Sequence, residues 1–189
     1  MLDSNIFIRE LQTDLMDLVS IHKKICICQL CDLAQSRKLA VPGEGPCPTK
    51  IMLVGEAPGK YEDESGRPFV GRAGKLLDEA LIKAGLDRKD VFITSVVKCR
   101  PPKNRKPKQW EIDACHPYLK AQTEMLNPKV VCLMGNVAAQ TVLGIQGIAT
   151  LRGKIFLDRF LVTFHPAAVL RNRNLMDAFI SDLKMAKSR

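Results

Sequence analysis

Four short apolar segments rich in β-branched residues recur along the chain, and they predict strands that are buried on both faces. The segments are residues 51–54, 91–97, 130–134 and 160–164. Helical patterns lie between them, and the clearest has apolar residues at positions 73, 76, 77, 80, 81 and 84, followed by Gly85 as a stop. Strands that alternate with helices favour a mostly parallel sheet. The predicted fold class is therefore α/β, a three-layer α/β/α sandwich with a central four-stranded, mostly parallel sheet.

Both ends of the chain add a predicted helix. The spacing of Leu11, Leu15, Leu18 and Val19 indicates an amphipathic helix near the N-terminus, and Asn174 is predicted to cap a final helix. The inward positions of that final helix are Leu175, Ala178, Phe179, Leu183 and Ala186. With no internal repeat and no long linker, the 189 residues are predicted to form a single domain over residues 1–189.

Charge and composition narrow the class of partner. Hydrophobic residues make up 46% of the chain and charged residues 26%, as in ordinary globular proteins, and the net charge of +9 favours a polyanionic partner. Five of the basic residues, together with three prolines, fall within residues 99–108. The chain has no apolar run of membrane-spanning length and no signal-peptide pattern at its start, so we expect no membrane contact and a cytoplasmic location.

Cysteines suggest a metal site. Cys28 and Cys31 form a C-x2-C pair, and Cys99 and Cys115 can supply a second pair, so four thiols suit either zinc or an iron-sulfur cluster. Burial of Cys99 and Cys115 as simple core residues is the alternative, and Cys26 can compete with Cys28 as a ligand. A redox dithiol at Cys28 and Cys31 is disfavoured, because the pair does not follow a strand of a βαβ unit.

The residues that follow the predicted strands point to a ligand crevice, because parallel strands bind ligands beyond their carboxyl ends. Residues 55–59, Gly-Glu-Ala-Pro-Gly, let backbone N–H groups approach a ligand, but no phosphate-loop motif is present. Residues 62–64, Glu-Asp-Glu, indicate either a divalent-cation site or a solvated acidic turn. His165 ends the fourth strand and is predicted to face the same crevice as Glu56.

These motifs together are similar to one enzyme family. In chain order they are Cys28-x2-Cys31, Gly55-Glu-Ala-Pro-Gly59, Glu62-Asp-Glu-x-Gly-Arg-Pro-Phe-Val-Gly71, Lys98-Cys-Arg-Pro-Pro-x-Asn-Arg105, Cys115 and His165-Pro-Ala-Ala-x-Leu170. The set resembles the family 4 uracil-DNA glycosylases, the iron-sulfur branch of the uracil-DNA glycosylase superfamily. The resemblance implies a uracil-DNA glycosylase-like fold and a DNA repair enzyme that flips uracil out of DNA and leaves an abasic site.

The resemblance also implies roles for individual residues. A structural 4Fe-4S cluster would be held by Cys28, Cys31, Cys99 and Cys115. Phe69 would stack on uracil, and residues 55–59, with Gly55, Glu56 and Ala57, would bind its O2 side together with His165. Ala57 stands where the better-known branch of the superfamily has an aspartate, so Glu56 is the main candidate to orient the attacking water, with Glu62 in support.

One position departs from the family pattern. Ser95 stands where the family usually has an asparagine that reads the uracil edge, so we expect weaker or broader base discrimination, with Asn104 in partial compensation. The expected partner is uracil-containing DNA, single- or double-stranded, bound by a monomer. Its expected contacts are Arg100, Lys103, Arg105, Lys106, Lys108 and Arg171 on phosphates, and Leu170, or alternatively Val169, as an apolar wedge. Alternative functions are a non-catalytic or weakly active iron-sulfur protein that binds DNA or lesions, and a zinc hydrolase of another nucleotide.

Overall fold

A computed structural model describes residues 17–189 of the chain, in which one sheet of five strands is flanked by helices. The strands are β1 (Ile51–Gly55), β2 (Val91–Ser95), β3 (Val130–Met134), β4 (Ile155–Phe156) and β5 (Phe160–Thr163). Their order across the sheet is β2-β1-β3-β5-β4, with β1, β2, β3 and β5 parallel and β4 antiparallel to β5. The predicted number of four strands is one too low, because the two-residue β4 is too short to produce an alternating pattern.

The helices form a layer on each face of the sheet. They are α1 (Leu18–Ile27), α2 (Leu33–Ser36), α3 (Lys60–Ser65), α4 (Arg72–Ala84), α5 (Gln109–Leu126), α6 (Asn136–Leu143), α7 (Ile148–Leu151), α8 (Pro166–Arg171) and α9 (Met176–Lys187). Helices α1, α5 and α6 pack on one face, and α4, α8 and α9 pack on the other. The predicted three-layer α/β/α sandwich is therefore confirmed.

Burial of the strands on both faces explains their sequence pattern. In β1, Met52 and Val54 point into one helical layer, whereas Ile51 and Leu53 point into the other. Every residue of β1, β2 and β3 is buried, so an alternating polar pattern is absent from these strands.

Several predicted element ends differ from the structure. Strand β1 ends one residue later than predicted, at Gly55, and β5 ends one residue earlier, at Thr163. Strand β2 ends at Ser95 rather than residue 97, although residues 96 and 97 stay buried. Asn174 does not cap the final helix, because it lies in a 3₁₀ turn, Arg173–Leu175, and Asn172 accepts a hydrogen bond from the Asn174 N–H instead.

Of the predicted N-terminal helix, Leu11 and Leu15 lie outside the described residues, whereas Leu18 begins α1. Within residues 17–189, none of the helices is long and apolar enough to cross a membrane. The parallel arrangement places the carboxyl ends of β1, β2, β3 and β5 at one edge of the sheet, and the motif-bearing loops leave the sheet there.

Candidate active site

A cavity of about 590 Å³ opens at the carboxyl edge of the parallel strands. The predicted site residues that line it are Glu56, Ala57, Glu62, Phe69, Ser95, Asn104, Arg105, Lys106, His165 and Arg171. These residues come from separate loops, and the parallel topology brings the loops together. The predicted crevice therefore has a physical counterpart in the structure.

The floor of the cavity lies where β1 and β2 end side by side. Gly55 pairs with Ser95 in the strand register, and the ring of Phe69 rests on Gly55. A Cβ atom at Gly55 would lie 2.6 Å from Cζ of Phe69, so only glycine permits this approach. The imidazole of His165 lies beside the same ring, with 5.8 Å between the ring centroids. The Phe69 ring, the end of β1 and the His165 imidazole thus border the same part of the cavity.

Glu62 organises the loop that carries Phe69. Its Oε1 accepts hydrogen bonds from the N–H groups of Val70 (2.9 Å) and Gly71 (2.8 Å), and its Oε2 accepts one from Gly59 (3.1 Å). Three backbone donors therefore converge on one carboxylate. Although Glu62 lines the cavity, its oxygen atoms are engaged by the protein, so its geometry suits a positioning role.

The Phe69 loop is also held from the opposite side. Arg88 donates to the carbonyl oxygens of Pro68 (2.6 Å) and Phe69 (3.2 Å), and it forms ion pairs with Glu44 and Asp78. This support matters because Phe69 has a positive φ of 49°, a conformation that is costly for a residue with a bulky side chain.

The other two acidic residues of the 62–64 run have separate partners. Asp63 is buried and accepts a hydrogen bond from the backbone N–H of Lys38 (2.9 Å). Glu64 forms a surface ion pair with the Lys38 ammonium at 3.4 Å. Because the three carboxylates are directed to different groups, the divalent-cation interpretation of this run gains no support from the structure.

His165 presents an unpaired donor to the cavity. Its Nδ1 accepts a hydrogen bond from the Ala167 N–H at 3.1 Å, so the proton of the neutral ring resides on Nε2. Burial, with a smaller contribution from the positive charge of Arg171, lowers the pKa of His165 to about 4. Nε2 is buried and has no hydrogen-bond partner among the described residues. The site thus contains a neutral imidazole with a free N–H group.

Glu56 is the cavity carboxylate that remains available to a ligand. It is half-buried and, unlike Glu62, has no hydrogen bond to its carboxylate among the described residues. Burial raises the pKa of Glu56, and the nearby positive charge of Lys106 partly opposes that rise. A desolvated carboxylate that lacks a fixed partner is suited to orient water.

Residues 99–108 form one wall of the cavity. Their basic side chains differ in whether they are engaged by the protein or exposed to a ligand. Arg105 makes a bidentate ion pair with the completely buried Glu111, with N–O distances of 2.5 and 2.8 Å. The Arg105 guanidinium therefore holds the wall against α5. Lys106 is exposed beside Glu56 at the cavity, whereas Lys103 and Lys108 are exposed on the same loop outside the cavity lining.

Asn104 also lines the cavity, but its carbonyl oxygen is already occupied. Arg100 Nε donates to Asn104 Oδ1 at 2.7 Å, which leaves the Asn104 side-chain amide to donate. Arg100 therefore orients Asn104 in addition to any contact with phosphate.

The predicted wedge region lies on α8. Val169 is completely buried in the core, with 0% of its surface exposed, so its assignment as an alternative DNA wedge is wrong. Leu170 is half-buried and packs against the same core, and Arg171 is exposed at the cavity.

Several cavity residues, among them three with large polar side chains, were missed by the sequence prediction. Lys60, Tyr61 and Arg72 line the cavity, and the Tyr61 side chain is 58% exposed. No distinctive sequence pattern marks them, because their importance depends on the way in which helices α3 and α4 frame the opening.

The four predicted metal-ligating cysteines meet at a second site. Cys28 and Cys31 lie between α1 and α2, Cys99 follows β2, and Cys115 lies on α5, and all four line one small cavity. Cys26 is exposed and does not line this cavity, so the structure does not support it as a competing ligand.

Two of the four sulfur atoms accept hydrogen bonds from the protein. The donors are Arg37 Nη1 to Cys99 (3.0 Å) and the Lys98 N–H to Cys115 (3.3 Å). Burial raises the pKa of Cys115 to about 12, so a thiolate there requires added positive charge. Within residues 17–189, no group of three or more His, Cys, Asp or Glu side chains is arranged to hold a single metal ion.

Comparison with known proteins gives a consistent assignment. The family described as the uracil DNA glycosylase superfamily matches residues 42–184. A type-4 uracil-DNA glycosylase of Pyrobaculum aerophilum is 46% identical over 182 residues, which cover 90% of this chain and 93% of that protein. Similar proteins of the same type from Sulfurisphaera tokodaii and Thermotoga maritima are 43% and 42% identical and cover 88% and 93% of this chain, and 82% and 94% of their own lengths.

Proposed function

The chain belongs to the uracil-DNA glycosylase superfamily as a uracil-DNA glycosylase of the type-4 kind, and we propose that its cavity binds a uracil flipped out of DNA. The enzyme is a DNA repair hydrolase that breaks the N-glycosidic bond between uracil and deoxyribose. Hydrolysis adds water across that bond, so free uracil and an abasic site are the products. Flipping costs a few kcal/mol, and this cost is lowest for a mispaired base.

The free Nε2–H of His165 is the observation that carries this proposal. As the glycosidic bond breaks, negative charge accumulates on the O2 side of the departing uracil. A buried neutral imidazole that donates through Nε2 can stabilise this charge, because its donor has no protein partner to give up. One well-placed donor of this kind contributes about 3 kcal/mol to lowering the barrier.

The remaining cavity residues position the base and the water. The Phe69 ring stacks on the uracil plane, and Gly55 allows that ring to lie over the strand end. Glu56 orients the water that attacks C1' of the sugar, since it is the lining carboxylate with no protein hydrogen bond among the described residues. Lys106 beside Glu56 favours its charged form.

Ser95 determines how the uracil edge is read. Its short hydroxyl donates and accepts through a single oxygen atom, whereas an asparagine amide has separate donor and acceptor atoms that could contact O4 and N3–H together. Ser95 lies next to Gly55 at the floor, and the Asn104 amide is available on the loop wall. We therefore expect weaker rejection of bases other than uracil than an asparagine at this position would provide.

Excision from duplexes that contain uracil, hypoxanthine, xanthine or cytosine tests this proposal, with alkali-labile cleavage as the measurement. The natural chain should release uracil, and Ser95→Asn should raise the preference for uracil over the other bases. Ser95→Ala is the matched control that removes the hydroxyl without adding an amide. Equal base preferences in Ser95→Asn and the natural chain would contradict the role of Ser95, and absence of uracil release would contradict the assigned pocket.

DNA binding is proposed to use the cations around the cavity. Lys106 and Arg171 line the opening, and Arg100, Lys103 and Lys108 extend the positive surface along the loop wall. Phosphate contacts of this kind predict binding that weakens as salt rises. Leu170 remains the proposed apolar wedge. The monomeric state, the single domain over residues 1–189 and the cytoplasmic location stay predictions.

A 4Fe-4S cluster fits the cysteine site. The sulfurs of Cys99 and Cys115 accept hydrogen bonds, that of Cys99 from the Arg37 guanidinium, and such donors suit a cluster of net negative charge. The cluster would be held by Cys28, Cys31, Cys99 and Cys115 and would fasten the loop wall to α5, a structural role. Zinc suits the site less well, since zinc draws four sulfurs within about 2.3 Å of one ion. A brown protein that contains iron is the expected result, and a colourless zinc protein would contradict it.

A further inference from the structure

Lys98 is a buried cation between the two sites described above. Only 1% of its surface is exposed, and its ammonium donates to the Thr94 hydroxyl at 2.6 Å and to the Ser95 carbonyl oxygen at 2.7 Å. Both acceptors are neutral oxygen atoms at the end of β2. Within residues 17–189, the ammonium neither donates a hydrogen bond to a carboxylate nor forms an ion pair with one. Burial of an ammonium costs free energy unless an anion lies close to it, so Lys98 requires a nearby negative charge.

The cysteine site supplies that negative charge. Lys98 lines the same small cavity as the four cysteines, and its backbone N–H donates to Cys115 Sγ at 3.3 Å. Metal-bound cysteines are thiolates. Two of the predicted ligands are attached directly to Lys98, because Cys99 is the next residue in the chain and Cys115 accepts the hydrogen bond from the Lys98 N–H. When a cluster is bound, the cysteine thiolates therefore supply the negative charge near Lys98 that the neutral oxygen atoms of Thr94 and Ser95 do not supply.

The same residue connects to the wall of the base pocket. The Thr94 hydroxyl that accepts from Lys98 donates in turn to the Pro42 carbonyl at 2.8 Å. The Lys98 carbonyl accepts a hydrogen bond from the Val41 N–H at 2.7 Å, and Val41 lines the large cavity. Lys98 is thus hydrogen-bonded to Ser95 at the cavity floor, to Val41 in the cavity lining and to Cys115 in the cysteine site.

We infer, on the basis of the proposed uracil pocket and cluster, that Lys98 is a positioning residue that couples the cysteine site to the base pocket. Its ammonium holds the Ser95 carbonyl and the Thr94 hydroxyl in place, and the thiolates of Cys99 and Cys115 balance its charge. Loss of the negative charge at the cysteine site would leave the ammonium unbalanced and would disturb the pocket floor. The cluster then supports base recognition through one named side chain, without taking part in the reaction.

Lys98→Met tests this coupling, because methionine has a similar length but cannot donate. The Lys98→Met protein with its cluster bound is compared with the natural chain and with Lys184→Met. Lys184→Met removes an exposed lysine on α9 and is the control for net charge. We expect Lys98→Met to shift the cluster reduction potential to more negative values, because a nearby cation stabilises the more negative reduced cluster. We also expect kcat on a uracil duplex to fall about tenfold with KM within about twofold, because the surface cations that grip DNA are unchanged. Lys184→Met should match the natural chain in both measurements.

A second variant keeps the inference testable if Lys98→Met fails to fold. Thr94→Val removes one acceptor of the ammonium, and Thr94→Ser retains it. Thr94→Val should lower kcat several-fold with little change in potential, and Thr94→Ser should restore it. An unchanged potential and kcat in Lys98→Met, or an unchanged kcat in Thr94→Val, would overturn the inference. Failure of the proposed function looks different, because the natural chain itself would then show a normal cluster spectrum without uracil release.

Discussion

Replacement of Glu62 by glutamine tests whether this carboxylate shapes the pocket. Glu62 accepts three backbone hydrogen bonds, from Gly59, Val70 and Gly71. A glutamine can keep its carbonyl oxygen toward Val70 and Gly71. Its amide nitrogen then faces the Gly59 N–H, so two donors oppose each other and one hydrogen bond is lost.

The magnitude follows from these contacts. A hydrogen bond to a charged group contributes about 1.5–3 kcal/mol, and the two remaining bonds weaken when their acceptor becomes neutral. We therefore expect Glu62→Gln to lower the free energy of unfolding by about 3 kcal/mol. The Phe69 loop would be less well held, so kcat/KM for uracil should fall about tenfold or more, in line with about 1.4 kcal/mol for each factor of ten.

Urea unfolding and uracil excision from an oligonucleotide measure the two effects. The matched control is Glu64→Gln in the same helix, because Glu64 forms only a 3.4 Å surface ion pair with Lys38. That substitution should change stability by less than about 1 kcal/mol. The shape of the pH-rate profile should be the same in Glu62→Gln as in the natural chain, since Glu62 transfers no proton. Equal stability in the two variants would refute the positioning role, and a changed pH profile would instead indicate a catalytic one.

Further predictions concern the histidine, the free carboxylate and α8. The contribution of His165 to stability should be fully present above pH 6.5 and should be lost, by about 3 kcal/mol, as the pH drops to about 4, because the unfolded chain protonates His165 while the folded chain keeps it neutral. In His165→Asn, urea unfolding at pH 7 and pH 4.5 should show a smaller difference than in the natural chain. Glu56→Gln should lower kcat about 100-fold with little change in stability, and near-normal activity would exclude Glu56. Val169→Ala should lower the free energy of unfolding by about 2 kcal/mol. Leu170→Ala should reduce uracil excision from duplex DNA more than from single-stranded DNA. An equal loss on both substrates would argue against Leu170 as a wedge.

The sequence alone determined the features that depend on local pattern and motif spacing. Continuous apolar segments predicted the buried parallel strands, and Gly85 predicted the end of α4, because burial on both faces and a left-handed stop each leave a direct mark on residue type. The ordered motifs indicated the family, and the comparisons confirm it.

Only the tertiary structure decided what individual side chains contact. Glu62 binds backbone N–H groups that no residue letter reveals, and Val169 proved buried although its neighbour Arg171 is exposed at the cavity. The free Nε2 of His165 depends on a hydrogen bond at its other nitrogen, and the importance of Lys98 depends on the meeting of a strand end with distant cysteines. The physical reason is that orientation and hydrogen-bond partners are set by packing between segments that are remote in the chain, whereas strand and helix patterns are set by neighbouring residues.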